Sequence, residues 1–197
     1  LSLGFPDLNS DLVDQVLEEA GKFAGDVIAP INRAGDQIGC KLKDGVVTTA
    51  PGYKEAYRQY VEAGWNGMHV SPDWGGQGLP KTLSLAVEEM WSGASMAFGL
   101  CPVLTQGAIE CLSVHGSPQQ QKLYLPKLVS GAWTGTMNLT EPQAGSDVGA
   151  VKARAVPSAG GTYKVAGNKI FITYGEHAMA ENIVHLVLAR LPDAPPG

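Results

Sequence analysis

The side chains best placed to do chemistry fall in residues 139–148, Leu-Thr-Glu-Pro-Gln-Ala-Gly-Ser-Asp-Val. Thr140, Ser146 and Asp147 bring short polar groups to a strand end that runs into a tight loop. Gly145 lets the backbone come close to a ligand. Successive exposed N–H groups in such a loop can form a nest for an anion. As local chemistry alone, the same stretch is also a polar connection between strands, and both readings stand at this point. Neither G-x-G-x-x-G nor G-x-x-x-x-G-K-[ST] occurs anywhere, so a nucleotide here is not held by a Rossmann turn or a P-loop. His115, His177 and His185 have no partners at metal-ligand spacing, and Cys40, Cys101 and Cys111 form no C-x-x-C; no metal is expected.

The elements that must position this loop divide the chain in two. Val13, Val16, Leu17, Ala20, Phe23, Ala24, Val27 and Ile28 recur at steps of three and four. They predict an amphipathic helix with Ser10 or Asp11 as N-cap and Pro30 near its end. Asp44-Gly45 marks a turn. Tyr53, Ala56, Tyr57, Tyr60 and Val61 predict a second helix, stopped at Gly64. Residues 71–80, with three glycines and two prolines, read as a rigid loop. Residues 82–94 and 103–114 read as two further helices, and 119–129 as another, with Ser117 as N-cap and Pro118 at the first position.

After Gly131 the pattern becomes that of strands. These are predicted at 134–139, at 151–157 and 162–166 around Gly160-Gly161, at 169–173, and at 182–190. The last is apolar enough for burial on both faces. Helices followed by strands imply an α+β protein rather than an alternating parallel fold. The expected organisation is an N-terminal all-helical domain, 1–131, followed by the beginning of a β domain, 132–197.

Residues 137–148, Met-Asn-Leu-Thr-Glu-Pro-Gln-Ala-Gly-Ser-Asp-Val, resemble the signature of the acyl-CoA dehydrogenases, whose usual form is T-E-P-x-A-G-S-D. Residues 163–173, Tyr-Lys-Val-Ala-Gly-Asn-Lys-Ile-Phe-Ile-Thr, resemble that family's second flavin motif, G-x-K-x-[WF]-I-T. Trp74-Gly-Gly-Gln-Gly-Leu-Pro80 and Gly116-Ser-Pro-Gln-Gln-Gln-Lys-Leu-Tyr-Leu-Pro126 are similar to its helical domain. The resemblance covers nearly all 197 residues in order. The tail 175–190 is similar to the long bacterial branch that includes the 3-methylmercaptopropionyl-CoA dehydrogenases.

The resemblance implies a helical domain, a middle domain that begins as an antiparallel β-barrel-like structure, and a C-terminal helical bundle. FAD lies between the last two. At Met137 and Leu139 the backbone would meet the pyrimidine end of the isoalloxazine, and the Thr140 hydroxyl would bond there. Beyond Gly145, Ser146 would sit near the pyrophosphate and the CoA side of the substrate. Phe171, where Trp is common, would pack against the flavin, keeping the apolar face without an indole N–H. Thr173 would bond near N5. The implied reaction takes an acyl-CoA to the 2,3-enoyl-CoA by α-proton abstraction and β-hydride transfer to N5, with electrons passing to an electron-transfer flavoprotein. No catalytic residue is expected in this chain, since the family's base comes from the C-terminal bundle; the piece alone is expected not to turn over. An acyl-CoA oxidase and a non-catalytic acyl-CoA-binding relative share these motifs and remain alternatives.

The rest of the sequence fits this frame. With 14 basic and 19 acidic residues the net charge is −5, against a nucleic-acid partner that relies on a general positive field. Three cysteines fit reduced thiols in a bacterial cytoplasm. No signal peptide is visible, and no apolar run reaches the ~18 residues of a membrane span. A homodimer or homotetramer is expected. Leu1 in place of Met and the Pro-rich tail 191–197 read as a piece cut from a longer protein at both ends. Glu141 reads as a turn carboxylate rather than the base. Glu18-Glu19 and Glu88-Glu89 read as solvated helix faces. Trp65, Trp74, Trp91 and Trp133 read as packing residues.

Overall fold

The computed structural model describes residues 4, 5 and 8–195. Helix α1 spans Ser10–Phe23, and its cap is Asn9, one residue before the expected Ser10 or Asp11; the Asn9 side chain accepts from the Leu12 N–H. Pro30 does not end this helix. A π-turn over Ala24–Ile28, in which the Ala29 N–H reaches back to the Ala24 carbonyl, feeds directly into α2, Ala29–Ile38. Pro30 sits directly after the π-turn, inside a helical run that continues through it. Strands β1 (Lys41–Lys43) and β2 (Val46–Thr48) form a hairpin whose two turn residues, Asp44 and Gly45, both have positive φ. That is the pattern of a type I′ turn.

Helix α3 (Tyr53–Glu62) buries Tyr53, Ala56, Tyr57 and Tyr60, and Gly64 in the left-handed region follows its end. Its aromatic face meets α4. Tyr60 and Trp65 both stand edge-on to Trp91, with ring centroids 5.2 and 5.4 Å away. Phe23 of α1 closes the group at 6.2 Å from Trp91. Trp65 and Trp91 are thus packing residues, as the sequence suggested.

The two helices expected at 82–94 and 103–114 are one element, α4, Lys81–His115. It is broken at Ser95, whose backbone (φ −160°, ψ 100°) is extended and whose hydroxyl accepts from the Phe98 N–H. Ser95 therefore caps a second segment that starts well before residue 103 and carries Pro102 inside it. Among the described residues α4 is the one helix whose length and apolar composition would suit a membrane span. In this fold it is the central post of the helical layer, with Val87, Trp91, Phe98, Cys101 and Ala108 buried along it. Glu88 is half-buried rather than solvated, 3.4 Å from the Ser84 hydroxyl, and burial raises its carboxyl above the usual range. Glu18 and Glu19 are exposed and pair with Lys22.

Helix α5 (Pro118–Val129) opens on the expected Ser117, with Gln120 completing a reciprocal capping box. Its last carbonyls are met from other elements. The buried Asn66 amide donates to Leu128 and Val129, and the Tyr57 hydroxyl donates to Gly131 at 2.9 Å.

Strand β3 (Trp133–Asn138) lies on α4 and buries Thr134, Gly135 and Thr136. It pairs in parallel with β6 (Asn182–Val187), from Trp133 opposite Asn182 to Asn138 opposite Val187. β4 (Arg154–Pro157) and β5 (Tyr163–Ala166) form a separate antiparallel hairpin. Arg190 ties the chain end to this hairpin: its backbone pairs with Ala153 and Ala155, and its Nε donates to the Val151 carbonyl at 2.7 Å. A helical domain is thus followed by the start of a β region. β6 is shorter than expected and only half-covered, because it pairs with β3 on one side. Residues 169–173 are not a strand. Phe171 has φ 57°, a left-handed conformation that no strand accommodates.

Candidate functional site

β3 delivers Met137 opposite Leu186, and the chain leaves the sheet at Leu139 and Thr140. It then folds back at once: Glu141 and Ala144 exchange two backbone bonds of 2.9 and 3.0 Å around Pro142-Gln143. This tight turn places Gly145, Ser146 and Asp147 at the surface. A Cβ on Gly145 would meet no atom within 4 Å, so packing does not demand glycine there and the space above it is open.

The turn is held from inside by Glu141, which is buried. Its carboxylate accepts the Lys152 and Ala153 N–H groups at 2.7 and 2.9 Å, the Gln143 amide, and the Lys169 ammonium at 2.9 Å. Lys169, with these amide donors, pulls the carboxyl down to about 2. Glu141 is therefore a fixed anion, already saturated, and its turn-carboxylate reading acquires a specific job.

The folded pKa lies below the ordinary 4.5, so the charged carboxylate stabilises the fold above 4.5 and that contribution disappears as pH falls from 4.5 toward 2. Urea midpoints of wild type and Glu141→Gln should accordingly differ most at neutral pH and converge across that interval. A gap that stays constant down to pH 2 would contradict the assignment.

Lys169 also donates to the Leu139 carbonyl at 2.8 Å, and the Ile170 N–H donates to the Thr140 carbonyl at 3.1 Å. The two motifs, 30 residues apart in sequence at Leu139 and Lys169, thus lie side by side. Among the described residues neither the amide nor the hydroxyl of Thr140 has a hydrogen-bond partner. The left-handed turn at Phe171 throws its ring outward, 88% exposed, so it is no part of the core.

Beyond it the chain docks on the helical layer. Tyr174, also at positive φ (53°), donates its hydroxyl to the Ala97 carbonyl at 2.6 Å, just past the Ser95 break. Thr173 is half-buried there, on a cleft of about 600 Å³ shared with Ile172, Tyr174, Cys40, Ala97 and Leu100. His177 anchors the next turn. Met179 N–H donates to its Nδ1, leaving Nε2–H to donate to the Thr134 hydroxyl, and burial lowers the imidazole pKa.

The structure therefore brings Leu139 and Thr140 against the segment leading to Phe171. Thr173 sits on the cleft beside α4, and Gly145 and Ser146 lie on the exposed side of the Glu141 turn. No sequence pattern assigned Lys169, Tyr174 or His177 a role in the site; His177 stood out only as a histidine without metal-ligand partners. One signal was available: Glu141 and Lys169 are opposite charges embedded in the two motifs.

The chain as a whole has known counterparts. The family model described as "Acyl-CoA dehydrogenase, N-terminal domain" matches residues 10–132, and "Acyl-CoA dehydrogenase, middle domain" matches residues 136–196. The chain belongs to the acyl-CoA dehydrogenase family. Within it, the chain is 52% identical over 193 residues to the 3-methylmercaptopropionyl-CoA dehydrogenase of Ruegeria pomeroyi, covering 98% of this chain and 33% of that protein. Among solved structures it is similar to an acyl-CoA dehydrogenase from Bacillus anthracis complexed with FAD. The TM-score is 0.76 and the identity 26%, over 94% of this chain and 30% of that one. It is also similar to a chain in the structure of the electron transferring flavoprotein of Acidaminococcus fermentans. Here the TM-score is 0.69 and the identity 26%, over 86% of this chain and 42% of that one. The chain spans about a third of the length of the curated relatives it matches.

Proposed function

We propose that this chain is the N-terminal part of a bacterial, cytoplasmic, FAD-dependent acyl-CoA dehydrogenase, with a helical domain over 1–131 and the opening of a β domain over 132–197. One observation carries the reading. The 139–141 and 169–171 segments are stapled together by Lys169 and Ile170, and this leaves Thr140 donors without partners and the Phe171 ring uncovered. A polar edge with unused donors beside an exposed aromatic ring suits a flat, polar-rimmed cofactor. The open space over Gly145 suits close approach by an anionic group.

In this reading the Met137 and Leu139 backbone and the Thr140 amide and hydroxyl hold the pyrimidine end of the flavin. Gly145 and Ser146 face the pyrophosphate and the CoA side. Phe171 packs on the ring system, and Thr173 offers its hydroxyl near N5. Bound FAD would take up the β-hydrogen of the acyl thioester with its electron pair, so that the product is the 2,3-enoyl-CoA. Glu141, locked by four donors, cannot also remove the α-proton, so the base lies elsewhere in the full-length protein. An electron-transfer flavoprotein as electron acceptor is supported by the Acidaminococcus likeness. A homodimer or homotetramer is the proposed assembly.

The full-length protein should purify yellow with one FAD per subunit, and an acyl-CoA should bleach it in the absence of oxygen. A folded, colourless protein that gains no flavin absorbance on incubation with FAD would overturn the reading. Sustained turnover with oxygen as the acceptor, at a rate that keeps pace with flavin reduction and yields peroxide, would make it an oxidase instead.

A further inference from the structure

Lys169 does more than neutralise Glu141. The pair is buried, with the two side chains 10% and 3% exposed. An ionised carboxylate offers about four acceptor sites. Lys152 N–H, Ala153 N–H and the Gln143 amide take three of them without help from Lys169. The ammonium spends a second donor on the Leu139 carbonyl at 2.8 Å, a bond that the ion pair does not require. That carbonyl belongs to the same peptide unit as the Thr140 N–H, which is unpartnered among the described residues. The next carbonyl, that of Thr140, is fixed by the Ile170 N–H. One cation and one backbone bond thus fix the two carbonyls on either side of a free amide.

We propose that Lys169 is a positioning residue that raises the reduction potential of the flavin by polarising and orienting the Leu139–Thr140 peptide. The inference rests on the proposed FAD site and goes beyond it by assigning an electrostatic task to a side chain that need not touch the cofactor. Charged donors make hydrogen bonds roughly twice as strong as neutral ones, and bonds in a chain strengthen one another. A cation on the carbonyl therefore makes the amide of the same peptide a better donor. The couple is FAD plus two electrons and one proton giving FADH⁻, with the acyl thioester as their source. The added negative charge resides largely at the pyrimidine end, so a better donor there favours the reduced form. Glu141 holds the ammonium in place while it does so.

The test uses the full-length holoenzyme, in wild type, Lys169→Met, and Lys169→Met combined with Glu141→Gln. The double variant removes both charges together, so no buried carboxylate is left unpaired. Visible absorbance reads FAD retention, dye equilibration reads the potential, and a urea midpoint reads the fold. In the double variant, reduced FAD should lose about tenfold in affinity relative to oxidised FAD, a fall of about 30 mV for a two-electron couple. Lys169→Met alone should fall further, because the unpaired Glu141 charge then opposes reduction. A flavin-loaded double variant with wild-type potential would overturn the proposal, even if its urea midpoint had moved, since Lys169 would then be only a clamp. Failure of both variants to fold or to hold FAD would likewise make the pair purely architectural. If the wild-type protein takes no FAD, the functional reading itself fails, and that result is known before any variant is made.

Discussion

Gly135→Val should be among the most damaging single changes in the chain. Gly135 sits in β3 where the strand lies on α4. A Cβ there would come within 2.4 Å of the Ala108 Cβ and 3.5 Å of the Thr105 Cα. Neither neighbour can swing aside, because both belong to a packed helix and the Gly135 N–H is bonded to the Thr105 hydroxyl at 3.1 Å. Overpacking of this kind costs about 1–3 kcal/mol for Gly135→Ala, and the branched valine should exceed that. At the usual scaling for a chain of this size, 3 kcal/mol lowers Tm by roughly 6–12 °C. Ala108→Gly should relieve part of the clash in the double variant despite its own helix penalty of ~1 kcal/mol, giving a coupling of about 1–2 kcal/mol. Purely additive melting shifts would show that the strand and helix are not in contact here.

The second large effect belongs to Thr173. Its hydroxyl has no partner among the described residues, so Thr173→Val keeps the volume and leaves no orphaned protein group behind. Stability should barely move. If the hydroxyl bonds near flavin N5, where charge develops as the flavin is reduced, its loss acts on the chemical step. One such bond is worth roughly 1–3 kcal/mol, or about 5- to 150-fold in flavin reduction rate. Ser146→Ala should behave differently. Its proposed contacts to the pyrophosphate and CoA side change little during the reaction, so binding should weaken with a smaller effect on the rate at saturation. Stopped-flow reduction of the two full-length variants separates these cases. A Thr173→Val enzyme that reduces at the wild-type rate with saturating acyl-CoA would remove Thr173 from the site.

The helices were legible where a repeat and a boundary residue agreed. Tyr53, Ala56, Tyr57 and Tyr60 with Gly64, and Ser117-Pro118 with Gln120, are local patterns whose physics is complete within one turn of chain. Pro30 misled because a proline stops a helix only when nothing compensates. A π-turn absorbs it, and α4 likewise carries Pro102 inside it without stopping there. The candidate site shows the same division. Its two motifs could be found one at a time, but their juxtaposition depends on bonds from Lys169 and Ile170 to residues about thirty positions away, which no local rule encodes. Residues 169–173 read as a strand for the same reason: the positive φ at Phe171 is imposed by where the chain must go next, onto α4.

The parallel pairing of β3 with β6 carries a kinetic consequence. The partners are roughly fifty residues apart in the chain, from Trp133 to Asn182. Closing a free loop of that length costs about 3.5 kcal/mol of chain entropy before any ladder bond forms. The intervening segment contains devices that shorten the search: the β4–β5 hairpin closes locally, the Glu141 turn gathers residues 152, 153 and 169, and Tyr174 fastens the strand's approach to α4. β6 should therefore zip last, onto a β3 already seated on its helix, and mutations in β6 should speed unfolding more than they slow folding. Until that final pairing, the order of assembly leaves the backbone edge of β3 that faces β6 unpaired. The residence time of that open state, set by how quickly the turn and hairpin form, governs the chance of mispairing with a second chain.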